Sequence, residues 1–153
     1  MEILVIIFAV VAAGAIWYLY SKQTIRDGEV SLANLKAPVS VRYDELGVPH
    51  IKGQNETDMH RALGYVQAQD RLFQMEMVRR LARGELAAIL GPELLDTDRL
   101  FRTLGIRAHA DAYVAKMDTN TPAYKALIAY LDGINQYQNI HPAPVEFDVL
   151  SIS

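Results

Sequence analysis

The chain has 153 residues, 51% hydrophobic and 22% charged, with 15 Lys+Arg against 18 Asp+Glu and a net charge of −3. That length allows one compact domain and hardly two, and the near-balanced charge excludes a global basic field for nucleic acid. With no cysteine present, a disulfide framework, a thiolate zinc site and a cysteine nucleophile are excluded too.

Ile3 to Tyr20 runs without a charge. As an α-helix this stretch spans roughly 27 Å at 1.5 Å per residue, close to the ~30 Å of a bilayer core. Trp17, Tyr18 and Tyr20 gather at its end, as aromatic rings do in the headgroup zone. Residues 1–20 are therefore expected to form a transmembrane helix. The run exceeds the usual apolar core of a signal peptide and no A-x-A site comes after it, which favours an uncleaved signal-anchor. Lys22, Arg26 and Lys36 come after the span and only Met1 and Glu2 precede it, a count that by itself puts the body in the cytoplasm.

Residues 21–38 read as a linker punctuated by Gly28 and Pro38, and residues 39–153 as the body. Val39, Val41 and Tyr43 alternate with Ser40 and Arg42, the period of a half-buried strand. Asp44-Glu45-Leu46-Gly47 supplies a turn, and Val48 to Ile51 a returning strand that Pro49 marks as an edge or a bulge.

From about Thr57 the period becomes helical, with Met59, Leu63, Val66, Phe73, Met77 and Leu81 as its stripe. Asn55 and Thr57 are both suitable N-caps, and Asp58 suits the first turn. The stripe needs a member at position 70 and meets Asp70. A carboxylate on an apolar face must be paired, hydrogen-bonded or protonated. No Lys or Arg stands three or four residues away, so its partner comes from elsewhere in the fold. Asp70 is read as a structural contact in preference to a catalytic acid. Glu76 and Arg80 form a favourable i,i+4 pair, and the arginines at 71, 79, 80 and 83 read as solvated and packing contacts in preference to an anion site. Gly84 weakens the helix, and Gly91-Pro92 ends the short segment after it. Asp96 or Thr97 caps a helix carrying Leu100, Leu104, Ala108, Val114 and Met117. Thr121-Pro122 starts another, with Leu127, Tyr130, Leu131, Ile134 and Tyr137, which the prolines at 142 and 144 terminate.

The resulting fold class is mainly α with a short N-terminal β-hairpin. Chemistry is hard to find in it. His50, His60, His109 and His141 share no metal-site spacing, and no phosphate-cradling loop or EF-hand pattern occurs. Asp96 and Asp98 could ligate a cation, but beside a helix start they read as capping residues. Met75, Met77 and the aromatics read as core, and no serine has a G-x-S-x-G context. Residue chemistry alone names no active site.

One stretch says more. Val41-Arg42-Tyr43-Asp44-Glu45-Leu46-Gly47-Val48-Pro49-His50-Ile51, then Asp58, then Ala62 to Arg80 (ALGYVQAQDRLFQMEMVRR), resembles the start of the penicillin amidase family. Gly84-Glu85-Leu86-Ala87, Gly91, Tyr130-Leu131-Asp132-Gly133-Ile134-Asn135 and Pro144-Val145-Glu146-Phe147 continue the pattern, so that the similarity covers roughly residues 38 to 150. The family comprises acylases, penicillin acylases and acyl-homoserine-lactone acylases among them, made as precursors that cleave themselves into a small α and a large β subunit.

The resemblance implies an N-terminal-nucleophile hydrolase of αββα layering, of which this chain is part of the α region, preceded by the membrane helix. It implies a serine nucleophile at the start of the β subunit, preceded by Gly in the precursor and activated by its own α-amino group, with oxyanion donors completing the site. No Gly-Ser pair occurs in this sequence, so the nucleophile is expected outside the chain, and no catalytic, substrate-binding or metal residue is assigned within it. The chain alone is expected to be inactive. Calcium is implied only for the full enzyme, as in some members. The implied partners are the β-subunit region of the same precursor, the membrane through residues 3–20, and a small N-acyl amide substrate, with no nucleic acid. Asp70 and Arg71 are the residues implied to tie the long helix to the core as a structural ion pair. The family setting puts the body on the periplasmic side, against the charge count. The alternative is a truncated, catalytically inactive, membrane-anchored helical protein.

Overall fold

The computed structural model describes residues 2–22 and 27–152; Arg26, one of the charges counted after the apolar run, lies outside them. The first element is helix α1 (Glu2–Ser21), where the charge-free run predicted one. From Val5 onward its side chains are exposed nearly all round, with Phe8 and Trp17 each at 73%. The expectation of a transmembrane span needs correction: among the described residues no helix is long and apolar enough to cross a membrane. The C-terminal end of α1 is clamped to the body. Tyr18 donates through its hydroxyl to Asp148 Oδ2 at 2.5 Å, and Lys22 Nζ donates to the Ala143 carbonyl at 2.8 Å and pairs with Asp148 at 2.7 Å.

Strands β1 (Ser40–Tyr43) and β2 (Pro49–Lys52) form the expected antiparallel hairpin, with Val41 opposite Ile51 and Tyr43 opposite Pro49. Pro49 is the first residue of its strand, where its missing N–H is tolerated. The turn is built by Asp44, whose Oδ1 accepts from the backbone N–H of Leu46 and of Val48, both at 2.9 Å. Gly47 takes φ 75°, a left-handed conformation open to glycine at little steric cost.

Helix α2 (Glu56–Arg83) starts at Asn55, whose side chain accepts from the Asp58 N–H, and ends at Gly84 with φ 64°. Of the two suitable N-cap residues, Asn55 is the one used. Beyond Gly84 lie a short helix α3 (Ala87–Leu90), a 3-10 turn (Pro92–Leu94), and helices α4 (Leu95–Leu104) and α5 (Ile106–Val114). The apolar period predicts α4 and α5 as one helix capped by Asp96 or Thr97. The helix instead begins one residue before Asp96, and Gly105 at φ 66° breaks the pair. Helix α6 (Pro122–Ile140) starts as expected, with the Thr121 side chain accepting from the Tyr124 N–H. Helix α7 (Val145–Val149) closes the described chain.

The core is the crossing of α2 and α6. Tyr65, Val66, Ala68 and Leu72 meet Ile134 and Tyr137, with Leu32, Val41, Tyr43 and Phe147 packed at the margin. This face differs from the predicted stripe. Leu63 is 38% exposed, whereas Ala62 and Ala68 are buried. Glycines explain the rotation. A Cβ on Gly64 would stand 2.0 Å from the Tyr130 carbonyl oxygen, and one on Gly133 would stand 2.0 Å from the Arg61 carbonyl oxygen. The backbones touch at two points, so the small residues face inward and the larger Leu63 and Leu131 turn outward.

Candidate functional site

The tightest polar arrangement sits beside that crossing. Asp58 is fully buried. Its Oδ2 accepts from the backbone N–H of Lys36 and of Ala37, each at 3.0 Å, and from Asn55 Nδ2 at 2.6 Å. Arg61, one turn on, donates through Nε to Asp132 Oδ2 at 2.6 Å and through an Nη to the Asn34 carbonyl at 2.9 Å. Asp132 Oδ2 also accepts from Gln136 Nε2 at 3.0 Å and Asn34 Nδ2 at 3.3 Å. Gln136 in turn pairs with Ala33, accepting its N–H at 2.7 Å. The cluster therefore staples the segment before the hairpin onto α2 and α6. Burial works against both carboxylates. The hydrogen bonds from Asn55, Ala37 and Lys36 at Asp58, and from Arg61, Gln136 and Asn34 at Asp132, outweigh it and hold each pKa below the ordinary value.

This cluster is a fastener. Asp58 Oδ2 and Asp132 Oδ2 each accept three hydrogen bonds from separate segments, the pattern of a structural tie. Sequence reasoning places Asp58 in the first turn of the helix, meets Asp132 only within the resemblance and passes over Arg61. The signal for it is the i,i+3 spacing from Asp58 on one helix face.

Asp70 and Arg71 stand apart from it. Asp70 is half-buried and borders a groove with Phe73, Tyr137, Pro144 and Glu146. Burial raises the Tyr137 hydroxyl pKa, and the Asp70 charge raises it further. Arg71 is exposed and takes φ −141°, ψ 24°, kinking α2 at that point. The kink shifts the helical phase just where the apolar stripe fails.

The other candidate residues are scattered. His141 lies 2.7 Å from the Tyr65 hydroxyl and stacks on Tyr137; His50 pairs with Asp44 at 3.0 Å; His60 meets the Glu56 carbonyl at 2.7 Å. Asp98 is buried and accepts from the N–H of Leu86 and of Ala87, both at 2.9 Å, while Asp96 pairs with Arg99 at 3.0 Å. These two carboxylates therefore do not converge as cation ligands. Among the described residues no group of three or more His, Asp or Glu is placed to hold a metal ion. Glu76 takes the expected Arg80 at 2.6 Å, and Arg79 adds a two-pronged contact at 2.7 Å.

What these elements make together is a scaffold: a hairpin and a segment fastened over two helices in backbone contact, with an apolar arm beyond. The penicillin amidase family matches residues 38–153, and the chain belongs to that family. It is similar to the penicillin acylase 2 proenzyme of Pseudomonas sp. (strain SE83), 42% identical over 127 residues that make up 80% of this chain and 16% of that protein. It is similar to the acyl-homoserine lactone acylase QuiP of Pseudomonas aeruginosa, 36% identical over 110 residues, 72% of this chain and 13% of the other. Among solved structures, a thermostable penicillin G acylase from Alcaligenes faecalis matches with a TM-score of 0.64 and 30% identity, over 78% of this chain and 65% of that one. The chain thus spans about one sixth or less of the length of these curated relatives.

Proposed function

We propose that this chain is the amino-terminal part of an acylase precursor, which hydrolyses the amide bond of a small N-acyl compound through an N-terminal serine outside the chain. The observation that carries this reading is the family match across residues 38–153 by a chain spanning only 13–16% of acylase relatives. In the reaction the serine hydroxyl, activated by its own α-amino group, attacks the amide carbonyl, the amine leaves, and water releases the acid. This chain contributes support: the Asp58–Arg61–Asp132 fastener sets the hairpin on α2, and the hairpin joins the layered sheets of the complete enzyme. By itself the chain is inactive in this reading. The body lies on the periplasmic side. The apolar surface of α1, exposed nearly all round, supports contact with lipid there, without a crossing.

The test is to read the gene in frame past the codon for Ser153. A frame reaching a Gly–Ser junction, whose product releases acid from a panel of N-acyl amides including a penicillin and an acyl-homoserine lactone, carries the reading. A stop after that codon overturns it and leaves a truncated, inactive protein.

A further inference from the structure

Three guanidinium groups gather where α2 ends and α4 gives way to α5. Arg83, Arg102 and Arg107 line a cleft of about 400 Å³, with Phe101 and Ala108 on its apolar wall and Glu85 as the one carboxylate in its lining among the described residues. Glu76 takes Arg79 and Arg80, so of the arginines crowded along this part of α2 it is Arg83 that lines the cleft. Two of the three guanidiniums are fixed through Nε alone. Arg83 Nε donates to both oxygens of Glu85 at 3.0 Å. Arg102 Nε donates to the Gly84 carbonyl at 2.8 Å, and its stem lies so close over Gly84 that a Cβ there would stand 2.7 Å from Arg102 Cγ. Neither uses an Nη group in a hydrogen bond to a described residue. Arg107 is held more loosely, 3.7 Å from Glu85 and 3.8 Å from Asp111, beyond hydrogen-bond reach.

We propose that the Arg83–Arg102–Arg107 cleft binds phosphate, free or as the monoester of a small molecule. Three guanidiniums against one carboxylate leave the lining doubly positive, in a chain whose net charge is −3. A cleft with low-dielectric walls concentrates such a field, and forked N–H pairs match the oxygens of a phosphate. Near neutral pH a phosphate monoester carries a charge of about −1.5 to −2, which balances the lining, whereas a monocarboxylate leaves one positive charge unmatched. Anchoring through Nε orients the Nη edges before a ligand arrives, so little side-chain ordering is left to oppose binding. Phe101 and Ala108 offer an apolar wall to an ester substituent. This site goes beyond the acylase reading and does not depend on it.

Phenylglyoxal modification of the full-length protein, read arginine by arginine by mass spectrometry, tests the proposal. With ionic strength held constant by sodium chloride, about 10 mM phosphate should slow modification of Arg83, Arg102 and Arg107 about fivefold or more. Arg99, 75% exposed on α4 and outside the cleft, should react at an unchanged rate. Arg107→Gln removes a side chain with only long contacts. It should raise the phosphate concentration that half-protects Arg83 and Arg102 about tenfold. Phenyl phosphate separates the two sources: protection at a lower concentration than phosphate assigns an ester, and protection at the same or a higher concentration assigns the free ion. Equal slowing at Arg99, no slowing at the three arginines, or an Arg107→Gln protein protected as before overturns the proposal. So does butyrate protecting as well as phosphate. Arginines that fail to react even without phosphate also overturn it, because another part of the polypeptide then fills the cleft. Modification requires no turnover, so the result stands apart from any assay of acylase activity.

Discussion

At the scale of single residues, the fold is held by two glycines and one arginine. Gly64 and Gly133 are needed because carbonyl oxygens stand where their Cβ atoms would be. Neither partner is a flexible side-chain end, so the helices must separate to admit a methyl group. Gly64→Ala or Gly133→Ala should destabilise the intact protein by about 3 kcal/mol or more, read as a lower urea midpoint with an unchanged slope. The Arg61 fastener makes a prediction about pH. Asp132 has a depressed pKa in the folded state, so its contribution is present above the unfolded value near 3.9. That contribution is lost as the pH falls through the lower folded value. Asp132→Asn should lower stability at neutral pH and flatten the acid limb of the stability curve, which denaturation at a series of pH values would measure.

At the scale of elements, each helix is bounded by its caps. Asn55 closes the start of α2 twice over, its Oδ1 accepting from the Asp58 N–H at 2.9 Å while its Nδ2 donates to the Asp58 carboxylate. Asn55→Ala should cost about 1–2 kcal/mol, seen as a fall in the melting temperature and as faster hydrogen exchange in the first turn of α2. The hairpin has fewer resources. A two-stranded ribbon is marginal alone, and β1 gains support by packing Val41 and Tyr43 against the α2–α6 core. The kink at Arg71 lets α2 follow α6 in its first half and carry the α3–α5 region in its second.

At the scale of the whole molecule, buried and exposed apolar surface are out of balance. The core cluster is confined to the α2–α6 crossing and its margin, while Val78, Leu100, Leu104, Tyr113 and Val114 are each at least half exposed. Residues 21–153 expressed alone should therefore bind a hydrophobic dye and show no sharp calorimetric transition. A cooperative unfolding peak in that fragment would contradict this account of an incomplete fold.

Much was legible in the sequence by itself. The alternation around Val41 and Tyr43, the Asp44–Gly47 turn, and the Asn55 and Thr121 caps are local signals, written in residues next to one another. They determined the hairpin and the starts of α2 and α6. The family, too, was legible, in motifs that the structure reads as mechanical parts: Asp58, Gly64, Asp132 and Gly133 hold the crossing. Only the tertiary structure decided which face of α2 is buried. Hydrophobicity favours Leu63, but closeness of approach favours Ala62, Gly64 and Ala68, and no local pattern records how near another backbone will come. The same holds for Arg61, whose partners Asn34 and Asp132 lie 27 and 71 residues away, and for Gly105, where a continuous apolar period hid a break set by backbone conformation. Pairings and approaches between distant segments belong to the folded chain, because their energies exist only once the segments meet.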